Sequence, residues 1–218
     1  GKDLFSYDQV QARLAKIQSA FTICSAMCVN TSERAGLDNN LATHGLEANA
    51  VKTCITDLMQ ETSQSLLQLV GAKGYRLDHF AGRATVDNRP FQIFEGSNDI
   101  LYIQIGEALL KQMKVAKEKN LLRYLSSFEL TSRAADRLRD LLSFDIDSSL
   151  PQRKLLELGQ LVSRIVVMNM VIKLEDRDFN KMLISNSLKS LQQELASLLA
   201  CYSVDNLSGL IEPDQGHP

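Results

Sequence analysis

The chain is poor in the residues that interrupt helices: its 218 residues include only 11 glycines and 4 prolines, the latter at 90, 151, 213 and 218. Long stretches are therefore free to run as helix, and the sequence reads as all-α. Neither sign of charge is in excess, with 24 basic against 26 acidic side chains and a formal net charge of −2. That balance excludes the basic footprint of a nucleic-acid binder. The four cysteines, Cys24, Cys28, Cys54 and Cys201, form no CxxC pair and have no histidine at zinc-finger spacing. They read as small buried hydrophobes in a reducing compartment, cytoplasmic or mitochondrial matrix rather than secreted. No run approaches the roughly 18 uninterrupted apolar residues of a membrane span, because Arg164 and Asn169 break the longest candidate.

What is there is helical periodicity. Tyr7, Val10, Leu14, Ile17, Phe21, Cys24 and Cys28 alternate spacings of three and four, predicting one apolar stripe on a first helix capped by Ser6. The polar run 31–40 reads as a loop. Val51, Ile55, Leu58, Leu66 and Leu69 mark a second helix that Gly71 and Gly74 end. Residues 76–94 lack the period, contain Pro90, and read as an irregular connection. Ser97 opens a third long helix, with Asp99 at its positive end and Lys111, Lys114, Lys117 and Lys119 toward its negative end.

Three further helices are predicted. They run through Leu121, Leu125, Phe128, Ala135, Leu138 and Leu142; Leu158, Leu161, Ile165, Met168 and Ile172; and Ile184, Leu188, Leu191, Leu195 and Leu198. Pro151 suits a helix start. Each segment holds two or three heptads, which favours an antiparallel bundle seam over a long coiled coil. A soft boundary falls near residue 118.

The most specific stretch is 68–101, where two glycine-containing motifs bracket the longest irregular connection. QLVGAKGY resembles the Q-x-x-G-G-x-G-[YF] turn of the acyl-CoA dehydrogenase family. FQIFEGSNDIL resembles that family's [YF]-x-[IV]-[YF]-E-G-[TS]-x-[EQD]-I segment, and Tyr7 to Ile17 resembles its Q-x-x-Q-x-x-L-A-x-[MI] helix. The resemblance spans roughly residues 5 to 115. It implies the family's C-terminal helical bundle at 1–118, lacking its first helix, followed by a helical extension at 119–218. The wording of FEGSNDIL is closest to the very-long-chain type.

By that resemblance Glu95 matches the base that removes the α-proton of a fatty acyl-CoA while the β-hydrogen leaves as hydride to FAD. Such a proton is weakly acidic, so the base needs an upward-tuned pKa, which desolvation by Phe91, Ile93 and Phe94 would supply. Phe94 and Gly96 match substrate-side positions. Gln68, Gly71 and Ala72 match positions that reach the flavin's ADP portion across a dimer interface, and Ser97 and Asp99 match positions beside the cofactor. Read without the resemblance, Glu95 is an acidic residue at a helix start and Gly71 and Gly74 a C-cap turn. Ala72 replaces the family's second glycine, Val86 a frequent arginine, and Asp8 a cofactor-facing glutamine.

His44 and His79 lie without a partner carboxylate and cysteine at metal spacing, so no metal site is expected. The family's N-terminal helical and middle β-domains are not visible. The chain therefore reads as a C-terminal piece, inactive alone, opened by a glycine consistent with a cloning or processing scar, and binding FAD weakly or not at all. The resemblance further implies a homodimer or larger assembly and an electron-transfer flavoprotein as partner. Peripheral membrane contact through an apolar face at Leu161 to Ile172 is a further expectation. Two other readings remain open: an acyl-CoA oxidase, and a non-catalytic helical module for oligomerisation or docking, which requires a solvent-exposed Glu95.

Overall fold

The computed structural model describes residues 1, 3–76 and 78–204, the side chain of Ala42 apart. Among them are nine α-helices: α1 (Asp8–Arg34), α2 (Gly45–Val70), α3 (Phe80–Asp87), α4 (Asn98–Ala116), α5 (Leu121–Ser127), α6 (Ser132–Arg137), α7 (Arg139–Leu142), α8 (Gln152–Lys173) and α9 (Lys181–Ser203). The extended pairing seen among the described residues is one isolated antiparallel bridge between Asn120 and Asp145. The all-α expectation holds.

The centre of the bundle is α8, which packs against α1, α2, α4, α6 and α9. Every residue from Leu161 to Ile172 is buried. A helix apolar on all sides must be covered on all sides, and here four long helices do so. By length and composition α8 would cross a membrane, but most of it lies inside the bundle. The apolar face expected to meet a bilayer is thus core, and the surface that motivated membrane contact is not exposed. One continuous apolar core joins residues on both sides of position 118, from Ile23, Met27, Ile105 and Leu109 to Leu121, Leu158, Ile165 and Leu191.

Helix α8 comes unusually close to α4. A Cβ on Gly159 would lie 1.8 Å from the Tyr102 carbonyl oxygen, and one on Gly106 would lie 2.4 Å from the Leu155 carbonyl oxygen. The two glycines let backbone meet backbone, locking the register of α8 against the helix that follows the Glu95 loop.

Several local expectations need correction. Helix α1 starts at Asp8 behind Tyr7, without a side-chain cap. Ser6 instead sits in a 3-10 turn, where its hydroxyl donates to the Asp3 carbonyl at 2.7 Å. The buried stripe of α1 is Ser19, Ala20, Thr22, Ile23, Ala26, Met27 and Asn30, whereas Phe21 is 74% exposed and Tyr7 and Cys28 are also exposed. Small residues let α9 approach closely, as the Ser187 hydroxyl donating to the Ser19 carbonyl at 3.4 Å illustrates.

Helix α1 also runs on to Arg34, into the expected loop. Its end is fastened to α2: buried Glu47 accepts from Asn30 Nδ2 at 3.1 Å and pairs with Arg34 at 3.2 Å. Of the cysteines only Cys54 is fully buried; Cys24 is half-buried, and Cys28 and Cys201 are exposed. The single helix expected over 121–142 is three short ones. The Thr131 hydroxyl turns back to the Leu125 carbonyl at 2.7 Å, and buried Asn169 of α8 accepts from the Arg133 and Ala134 N–H groups to start α6. Asn169, one of the two residues that break the apolar run, is thus an anchor point.

Candidate active-site loop

The connection 76–94 contains a helix after all. In α3, His79 takes the cap position, its Nδ1 accepting from the Ala81 N–H at 3.2 Å, and Pro90 opens a 3-10 turn over Arg89–Gln92. Residues 93–97 then form the loop that leads into α4. Glu95 has φ +56° and Gly96 φ +90°. A left-handed glutamate is uncommon and carries strain, so its surroundings must fix it. At Gly96 the same hand is free of that cost.

Three helices supply the fixing. From α2, Lys52 Nζ donates to the Gly96 carbonyl and to Asn98 Oδ1, each at 2.9 Å. Asn98, the first residue of α4, is buried and donates through Nδ2 to Asp57 Oδ1 at 2.7 Å and to the Thr56 hydroxyl at 2.9 Å. Asp57 Oδ1 also accepts from Gln92 Nε2 at 2.7 Å. Asp57 Oδ2 accepts from the Tyr102 hydroxyl and, at 2.9 Å, from Arg164 of α8.

Charge and burial act together here. Burial pushes the Asp57 carboxyl upward, but the Arg164 charge and hydrogen bonds from Tyr102, Arg164 and Gln92 outweigh it and leave its pKa below the ordinary aspartate value. Burial raises the Tyr102 phenol, with the Asp57 charge acting the same way against Arg164, so it stays a neutral donor. Burial lowers the Lys52 ammonium against the opposing pull of Asp57 and Glu95.

The expected site residues fall into two sets. Phe94, Glu95, Gly96 and Ser97 are contiguous in the loop, with Asp99 exposed in the first turn of α4. Ser97 takes the N-cap position without a side-chain cap bond. Gln68, Gly71 and Ala72 form the other set, at the end of α2 and in the 3-10 turn beyond it, all exposed. Gln68 is twelve residues along α2 from Thr56, about 18 Å at the helical rise, so the two sets address separate regions.

Phe91, Ile93 and Phe94 do not bury Glu95. They are 54%, 50% and 66% exposed, and Glu95 is exposed as well, because none of the described residues lies over the loop. They form an apolar rim around a carboxylate. Lys52, Asp57, Asn98 and Arg164 escaped the sequence reading. The available signal was a single arginine in an otherwise uncharged apolar run, which demands a buried acidic partner.

The residues at the Gly71 turn leave room for a large ligand. A Cβ at Gly71, where φ is +68°, would meet nothing within 4 Å, so the turn is open to an approaching group, and Gln68 and Ala72 flank it on the surface.

A search of curated proteins returned no match. The family model for "Acyl-CoA dehydrogenase, C-terminal domain" matches residues 1–110, which include both motifs, the Glu95 loop and most of α4. Members of that family depend on FAD, use acyl-CoA substrates and form oligomers. With a match over half its length, the chain belongs to the acyl-CoA dehydrogenase family.

Proposed function

We propose that the chain is the C-terminal part of an FAD-dependent acyl-CoA dehydrogenase that introduces an α,β double bond into a fatty acyl-CoA, with Glu95 as the base for the α-proton. The observation that supports this most is the presentation of Glu95: a left-handed, exposed carboxylate on a loop held by Lys52 at Gly96 and by Asp57 at Gln92 and Asn98. The backbone that carries this carboxylate is held in place while the carboxylate itself stays open to a substrate. Phe91, Ile93 and Phe94 are placed to exclude water once the loop is covered.

Phe94 and Gly96 would flank the acyl thioester. Gln68, Gly71 and Ala72 would hold the ADP portion of FAD, and Ser97 and Asp99 would lie on its other side. When bound, FAD supplies the acceptor for the β-hydrogen as hydride. Glu95 takes the α-proton, and Lys52, which feels its charge, keeps the neighbouring Gly96 carbonyl in place. The full site in this reading needs further protein above the loop, so the chain alone is inactive. The assembly is a homodimer or larger, and an electron-transfer flavoprotein takes the electrons.

One observation favours a second reading. Glu95 is exposed, as a non-catalytic docking module requires. Anaerobic titration of the intact protein with a long-chain acyl-CoA separates the two. Bleaching of a bound flavin is the outcome expected of the enzyme, while a flavin-free, unresponsive protein supports the docking module. Peroxide release on reoxidation in air would identify an oxidase instead.

A further inference from the structure

Arg164 is the only charged residue between Leu158 and Ile172 of α8, and only 5% of its surface is accessible. Each of its three guanidinium nitrogens has a partner. Nε donates to Glu194 Oε1 of α9 at 2.6 Å, one terminal nitrogen donates to the Tyr102 hydroxyl at 2.9 Å and the Ser163 hydroxyl at 3.3 Å, and the other donates to Asp57 Oδ2 at 2.9 Å. Asp57 then holds Gln92 and Asn98 through its second oxygen, each at 2.7 Å. Those two residues lie three positions before and three positions after Glu95. One carboxylate on α2 therefore clasps both ends of the Glu95 loop, and its counter-charge comes from α8, outside the family-matched residues 1–110.

We propose that Arg164 is a positioning residue: it keeps Asp57 ionised and correctly turned, so that the Gln92–Asn98 clasp fixes Glu95 in one orientation, making the region beyond residue 118 a working part of the site. The chemistry requires the ionised form. All four groups facing the carboxylate, from Gln92, Asn98, Tyr102 and Arg164, are donors, and a protonated carboxyl would set a fifth hydrogen among them. Buried without a counter-charge, a carboxylate takes up a proton, whereas a bidentate-capable guanidinium locks both charge and direction. Glu194 on the opposite side keeps the guanidinium aimed.

The role of Glu95 rests on the function proposed above, but the clasp is testable without it. Hydrogen exchange by mass spectrometry on the full chain compares the segment 93–98 with α9 in wild type, Arg164→Met, Arg164→Lys and Asp57→Asn. The clasp predicts exchange at 93–98 at least tenfold faster in Arg164→Met, with a smaller change in α9, and partial restoration in Arg164→Lys. Unchanged exchange at 93–98, or an equal rise in every helix, overturns it. Should Arg164→Met fail to fold, Asp57→Asn, which leaves Arg164 paired with Glu194, must loosen 93–98 in the same way, and an unchanged loop overturns the proposal.

In the intact enzyme the clasp predicts flavin reduction by acyl-CoA at least tenfold slower in Arg164→Met, with acyl-CoA affinity unchanged. Weakened affinity at an unchanged rate contradicts positioning. A loosened loop together with undiminished flavin bleaching by Glu95→Gln would leave the clasp standing and remove Glu95 as the base.

Discussion

The α4–α8 crossing offers the sharpest test of the packing. In Gly159→Ala the new methyl would sit 1.8 Å from the Tyr102 carbonyl oxygen, where ordinary contact begins at 3.4 Å. Both atoms belong to rigid backbone, so no side chain can swing aside and α8 must retreat by about 1.5 Å. Retreat on that scale opens the interface where Tyr102, Ile105, Leu158, Leu161 and Val162 are buried. Overpacking of this kind costs about 1–3 kcal/mol, here toward the upper end because backbone is involved, and alanine's better helix propensity returns about 1 kcal/mol. A net loss of about 2 kcal/mol follows. Urea unfolding followed by far-UV circular dichroism measures it, with Gly45→Ala as control, since a Cβ at Gly45 meets nothing within 4 Å. The control should be neutral or slightly stabilised. A Gly159→Ala protein as stable as wild type would show that α4 and α8 do not meet backbone to backbone.

Other outcomes are expected from single groups. Because the Asp57 pKa lies below its unfolded value of 3.8, its contribution to stability is present above that pH and is lost as the pH falls through the folded pKa. Thermal melts across the acid range should show a shallower acid limb in Asp57→Asn than in wild type. In thiol labelling of the native chain, exposed Cys28 and Cys201 should react quickly. Cys54, buried and pushed up to about 12, should react only on unfolding. Gly71→Ala places a side chain at φ +68° and ψ −147°, a region that only glycine adopts readily, and should cost about 1–3 kcal/mol in urea unfolding although nothing crowds the methyl.

Where periodicity dominated, the sequence was legible. The seams of α8 and α9 fall on the expected residues, α2 ends at Gly71, and Pro151 stands at the start of α8. The first helix was misphased because hydropathy favours Phe21 over its smaller neighbours, whereas close approach of α9 favours Ser19, Ala20 and Ile23. Helix α3 was missed because it is one short element containing Gly82, Thr85 and Val86, all modest helix formers, and it relies on an imidazole cap. The residues that hold the Glu95 loop were out of reach for another reason. Lys52, Asp57, Asn98 and Arg164 come from three helices, and only their meeting shows that the arginine interrupting an apolar run is a counter-charge.

The proposed function turns on Glu95 acting as the base. Glu95→Gln in the intact enzyme, titrated anaerobically with a long-chain acyl-CoA while the flavin absorbance is followed, tests it most directly. An amide of the same size keeps the loop and the bound flavin but cannot take the α-proton, so the predicted result is a yellow protein that substrate does not bleach. Bleaching at the wild-type rate would contradict the assignment.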